Sequence, residues 1–86
     1  MKNETKQESP NEIKLSDGRV AVIRDATGMD QVNASKMTKG DTGLYLYALM
    51  ALCVTIDSEQ TYIDTFTAMK LKDATTLTAA FSDINF

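Results

Sequence analysis

The sequence has no histidine, no tryptophan, one cysteine, one proline and four glycines. Without histidine there is no imidazole base for nucleophilic catalysis and no zinc site built on His/Cys pairs. A single cysteine excludes an internal disulfide. That thiol, Cys53, lies between Leu52 and Val54 with no base nearby in sequence, so it reads as a core thiol rather than an activated nucleophile. Positive charge is in short supply too. Nine Lys and Arg against twelve Asp and Glu leave a net charge of −3, which provides no overall basic field for nucleic acid. No apolar stretch reaches bilayer length, because the longest, Leu44–Val54, is about half of what a membrane-spanning helix needs. The first twelve residues hold no apolar core of a secretory signal. A free thiol without such a signal leads to the expectation of a reducing cytoplasm.

What is present is an ordinary globular mixture, 43% hydrophobic and 24% charged in 86 residues, enough for one small domain. A chain of this size buries only about 60% of the surface its unfolded form exposes. With no disulfide and no metal, such a domain leans on a partner or on a second copy of itself. Residues 1–11 (MKNETKQESPN) are polar and balanced in charge and carry the proline, so they read as a flexible tail ahead of a single domain over residues 12–86.

The patterning predicts an α+β fold: an N-terminal β-hairpin, a central apolar helix, a possible small second hairpin and C-terminal helices. The hairpin spans Ile13–Arg24 around Asp17-Gly18, a preferred two-residue turn. That turn pairs Ser16 with Arg19, Leu15 with Val20, Lys14 with Ala21 and Ile13 with Val22. Leu15, Val20, Ile13 and Val22 then share one face. Thr27, with Asp30 three residues on, signals a helix start running to about Lys36, with Met29 and Val32 inward. Thr38-Lys39-Gly40-Asp41 is a break. Asp41 or Thr42 opens the second helix, which runs to about Cys53 and has no charge from Leu44 to Leu52. A helix apolar all round is either wrapped by the rest of the domain or keeps one side for a partner. Val54–Asp57 is β-branched and pairs with Thr61-Tyr62-Ile63 across a Ser58-Glu59-Gln60 turn. Helix and strand periods compete over 54–69. Asp64 suits an N-cap for a short helix over Thr65–Met69 that buries Phe66 and Met69. Asp73 caps a last helix whose buried face is Ala74, Leu77, Phe81 and Ile84.

None of the chemical motifs stands up as an active site. Asp41-Thr42-Gly43 matches the triplet of aspartic proteases, but those enzymes hold it in a loop of an all-β fold. Here it opens an apolar helix and reads as a cap. Asp57 and Glu59 are too few for a calcium loop. Lys39-Gly40-Asp41-Thr42-Gly43 lacks the glycine spacing and lysine of a phosphate loop. The helix–break–helix near Ser35–Leu44 has an apolar second helix, which does not suit a DNA reader. The expectation is therefore no enzyme, no cofactor, no metal, no nucleic acid and no membrane. Met37, Tyr45, Tyr47, Met50 and Phe86 are the candidate partner-binding residues, because methionine and aromatic side chains are enriched at interfaces. Each also suits an ordinary core.

Three segments carry a resemblance. They are LSDGRVAVIRDATGMDQVNA over 15–34, GLYLYALMALCVTID over 43–57 and MKLKDATTLTAAFSDINF over 69–86. The order is a strand pair with an arginine on its return strand, then a helix start at Thr27, Gly28 and Asp30. A long apolar helix follows and leads into a Thr-Ile-Asp strand. The last helix ends in Asn-Phe. In this the chain resembles the small tail assembly chaperones of phages and prophages. The resemblance implies a non-catalytic role in the bacterial cytoplasm: binding the tape-measure protein, keeping it soluble and recruiting tail-tube subunits, then leaving before the virion is complete. Some relatives are also made in a longer, frameshifted form. The alternative is a minor tail or head–tail connector subunit that stays in the particle. The family offers no catalytic residues to carry over.

Overall fold

In the computed structural model, residues 11–86 are described. The predicted tail lies outside them except for Asn11, whose carbonyl accepts from the Ile23 N–H at 3.0 Å. The elements run β1 (Glu12–Lys14), β2 (Val20–Ile23), α1 (Gly28–Thr38), α2 (Thr42–Cys53), β3 (Val54–Ile56), β4 (Glu59–Gln60), α3 (Ile63–Ala68) and α4 (Leu71–Asn85). The four strands form one antiparallel sheet in the order β1-β2-β3-β4, with α1 and α2 filling the β2–β3 connection. This is the expected α+β architecture.

The first hairpin takes a register one residue away from the expected one. Ile13 pairs with Ala21 and Lys14 with Val20. The loop has three residues, Ser16-Asp17-Gly18, closed by Leu15 N–H to Arg19 O (2.8 Å) and Gly18 N–H to Leu15 O (3.0 Å). Gly18 sits at φ 93°, the left-handed position that ends a three-residue hairpin loop and that glycine adopts without steric penalty. Asp17 accepts from both the backbone N–H (3.1 Å) and the Nε (2.7 Å) of Arg19. The inward face is thus Leu15, Ala21 and Ile23, all buried, while Val20 and Val22 are exposed. Two packing reasons favour this register. Ala21 and Ile23 face Ile56 and Val54 across the β2–β3 ladder, making one continuous apolar surface. Ser16, released from the ladder, donates its N–H (3.0 Å) and hydroxyl (2.7 Å) to the Asp73 carboxylate of α4.

The second hairpin also forms, but its return strand is Glu59–Gln60 rather than Thr61–Ile63. The turn is Asp57-Ser58, both residues with positive φ (51° and 69°), the two-residue form that matches strand twist. Thr61 is then freed to bury its hydroxyl against the Val54 carbonyl at 2.7 Å. Ile63 opens α3, preceded by Tyr62, whose N–H donates to Thr65 Oγ1. Asp64 is therefore inside the helix and not its cap. Phe66 is buried as expected, and Met69 only partly. Likewise α4 starts at Leu71, so Asp73 is a first-turn residue and not the cap. Ala74, Leu77 and Phe81 are buried as predicted, and Ile84 is half-buried.

One core joins the inner sheet face (Leu15, Ala21, Ile23, Val54, Ile56) to Ala48, Leu49, Met50 and Cys53 of α2, Phe66 of α3 and Leu77 and Phe81 of α4. No residue from Leu44 to Cys53 is exposed, and those from Ala48 onward are buried except Leu52. The half of α2 from Ala48 on is wrapped by the rest of the chain, except Leu52, while Leu44–Tyr47 remain half-buried. None of the described helices is long and apolar enough to cross a membrane.

Candidate functional site

A cleft of about 260 Å³ opens where the start of α1, the middle of α2 and the end of α4 meet. Its position follows from how α1 begins. Thr27 is the N-cap, its Oγ1 accepting from Asp30 N–H (3.3 Å), while Asp30 Oδ2 accepts from Thr27 N–H (2.9 Å). This reciprocal capping box is the one the sequence predicts. The Arg24 guanidinium grips the same carboxylate with two bonds of 2.9 Å and also donates to the carbonyls of Leu52 (2.9 Å) and Asp25 (2.8 Å). One arginine therefore ties β2, α1 and the end of α2 together. The guanidinium first, and the Thr27 N–H second, hold the Asp30 carboxyl well below the usual carboxylate range. The far wall is fixed by the Ala26 N–H, which donates to Asn85 Oδ1 at 2.7 Å.

Ala26, Leu49 and Phe86 supply apolar walls, Gln31 and Asn85 supply amides, and the Tyr45 ring lines the cleft. The Tyr45 hydroxyl is buried and takes no hydrogen bond among the described residues. Phe86 is 84% exposed and leans edge-on against Phe81, with ring centroids 6.1 Å apart. On the same two turns of α1 that line the cleft, Met29 is 65% and Val32 46% exposed. Both were expected inward. The capping box explains the difference: it turns Asp30 toward Arg24, and Asp30 and Ala34, one turn apart, become the buried face. The small Ala34 lets α1 approach α2 closely, and Met29 and Val32 rotate out to solvent. The sequence signal for this face was the pairing of Thr27 with Asp30, read one turn further along.

Of the five candidate contact residues, the cleft gathers two, Tyr45 and Phe86. Met37 is exposed near the end of α1 but does not line the cleft. Tyr47 turns inward and stacks on Phe66 at 5.7 Å. Met50 is fully buried and receives the Thr78 hydroxyl at its sulfur (3.8 Å). It is a core residue, because α2 buries its C-terminal half on all sides.

The remaining polar motifs serve the fold. Asp41 caps α2 through Gly43 N–H (2.9 Å), and Asp57 accepts from Val20 N–H (3.0 Å). Cys53 is buried, and burial pushes its thiol up, with Arg24 opposing and Asp30 adding to the shift. That is the reverse of what a nucleophile needs. Among the described residues no group of three or more His, Cys, Asp or Glu is placed to hold a metal ion. No protein-family model, curated protein or solved structure matches the chain.

Proposed function

We propose that this chain is a non-catalytic binding module, a tail assembly chaperone that covers an apolar segment of the tape-measure protein and helps recruit tail-tube subunits in the bacterial cytoplasm. The observation that carries the reading is the apolar rim of the cleft. Phe86, which lines this mostly apolar cleft, and Met29, which follows the cleft residue Gly28 on α1, are among the most exposed large apolar side chains of the described chain. Exposed apolar side chains gathered beside a cleft cost solubility and are a feature of contact surfaces. The resemblance over 15–34, 43–57 and 69–86 supplies the identity of the client. Apart from Leu49, the C-terminal half of α2 gives the reading no support, since the domain itself covers it; α2 contributes through Tyr45 and Leu49 in the cleft.

Co-expression with a tape-measure segment from the same genome tests this. The wild-type chain keeps the segment soluble and co-purifies with it. The Met29→Ser/Phe86→Ser variant, changed only at exposed positions, retains its circular dichroism and loses the complex. A wild-type chain that neither solubilises nor retains the segment sinks the proposal. Mass spectrometry of purified particles separates the chaperone from a retained minor tail or connector subunit, since only the latter persists there.

A further inference from the structure

We propose that β1 is the seam of a symmetric homodimer, in which two copies join edge to edge into one eight-stranded antiparallel sheet. Among the described strands β1 ends the sheet on one side. Asn11 O accepts from Ile23 N–H and Leu15 N–H donates to Arg19 O, so the odd-numbered residues of this stretch turn their backbone groups toward β2. By the alternation of an antiparallel ladder, the N–H and C=O groups of Glu12 and Lys14 point away from the sheet. A strand placed beside them is an open template for pairing.

The side chains select the occupant. With a twofold axis through Ile13, Glu12 of each copy lies opposite Lys14 of the other, so one strand carries both halves of two charge pairs. The same register makes those two residue pairs the hydrogen-bonded ones, four main-chain bonds in all. Other registers fail on this strand. A shift of one residue sets outward side chains against inward ones, and a shift of two sets Glu12 against Glu12 or Lys14 against Lys14. Parallel pairing likewise brings like charges together. The opposite edge, Glu59–Gln60, has one charge and no complement. Ile13 adds an independent reason. It lies on the inward face yet is only half-buried, unlike Leu15 beside it. In the dimer the two Ile13 side chains meet on the axis and extend the core across it. Glu12 and Lys14 are both exposed, so the charge pairs form on the outer face, beside Val22 and Val20.

The seam is short, and association carries a fixed entropic cost, so the expected Kd is about 0.1–1 mM. Sedimentation equilibrium of the full chain, from about 10 µM to a few mM, reads it. Glu12→Lys and Lys14→Glu each turn both cross-strand pairs repulsive and are expected to weaken the dimer about tenfold or more. The swap Glu12→Lys/Lys14→Glu restores opposite charges and brings the Kd back to within about threefold of wild type. Far-ultraviolet dichroism matching wild type in each single variant shows that the loss of association is not a loss of fold. A wild-type chain still monomeric at the top concentration, single variants that associate like wild type, or a swap that does not restore association overturns the proposal. None of this depends on the chaperone reading, since no client is present.

Discussion

At the scale of single residues, two carboxylates hold the molecule together in ways that spacing along the chain shows only in part. Asp30 closes the capping box and receives Arg24. Asp73 receives the Ser16 hydroxyl and amide, and those two bonds, the hydroxyl's first, keep its carboxyl below the ordinary value. In both cases the folded pKa lies below that of an unfolded aspartate, about 3.9. The unfolded chain therefore binds more protons through the acid range, and stability rises with pH there. The stabilisation is fully present above about pH 5 and is lost as pH falls through the depressed folded values. Urea denaturation from pH 7 to pH 2 is expected to give a constant midpoint down to about pH 5 and a falling one below it. In Asp30→Asn the midpoint at pH 7 is lower and the fall at acid pH shallower. A variant that keeps the full acid dependence shows that Asp30 is not a source of it. The Thr27–Asp30 box was legible because both partners are three residues apart. The Ser16–Asp73 bond was not, since it joins residues separated by 57 positions.

At the scale of elements, the helices were easier to read than the strands. The α2 limits follow from Asp41 as cap and from the charge-free run up to Cys53. Both hairpins were foreseen, and both took a different register or return strand. A strand's side-chain period is two, so a one-residue slip exchanges its faces. Asp17-Gly18 fits a two-residue or a three-residue loop, and the choice rests on what the two faces meet. The consequence is measurable. Ile23→Ala, at a fully buried site, is expected to cost about 2–5 kcal/mol by urea unfolding. Val22→Ala, at a site 38% exposed, is expected to cost less than about 1 kcal/mol. The two-residue turn predicts a large loss at Val22, so comparable losses at both sites contradict the register described above. The second turn shows the same dependence on context. Asp57 and Ser58 adopt positive φ without glycine, and the Asp57 carboxylate anchors the turn to the Val20 amide, a partner on another strand.

For the molecule as a whole, the central question was whether so small a chain covers a helix that is apolar on every side. It buries the half from Ala48 on with four sources of cover, the inner sheet face, Ala34 of α1, Phe66 of α3, and Leu77 and Phe81 of α4, and leaves Leu44–Tyr47 half-buried. Because the core draws on nearly every element, the domain is expected to unfold in one step. Near-ultraviolet dichroism of the tyrosines and far-ultraviolet dichroism of the helices should trace coincident urea transitions. Leu77→Ala should lower both together by about 2–5 kcal/mol. Separate transitions reveal a subdomain that does not share this core. The large apolar side chains most open to solvent are accordingly not on α2: they are Leu71 and Phe86 at the two ends of α4, Met29 on α1 and Tyr62 just ahead of α3. The two contact candidates placed deep in or against the core, Met50 and Tyr47, serve packing instead.

Local chemistry was enough to set the class of fold, the positions of α1 and α2, the Thr27 and Asp41 caps and the buried positions Ala74, Leu77 and Phe81 of α4. These depend on neighbours within one or two turns, where the chain itself brings the groups together. Strand register, the outward turn of Met29 and Val32, and the cleft that joins Tyr45 to Phe86 were decided only by packing. Each depends on which distant surface an element meets: Ala21 faces inward because its strand pairs it with Ile56, and Ala34 because Asp30, one turn earlier, is turned to Arg24.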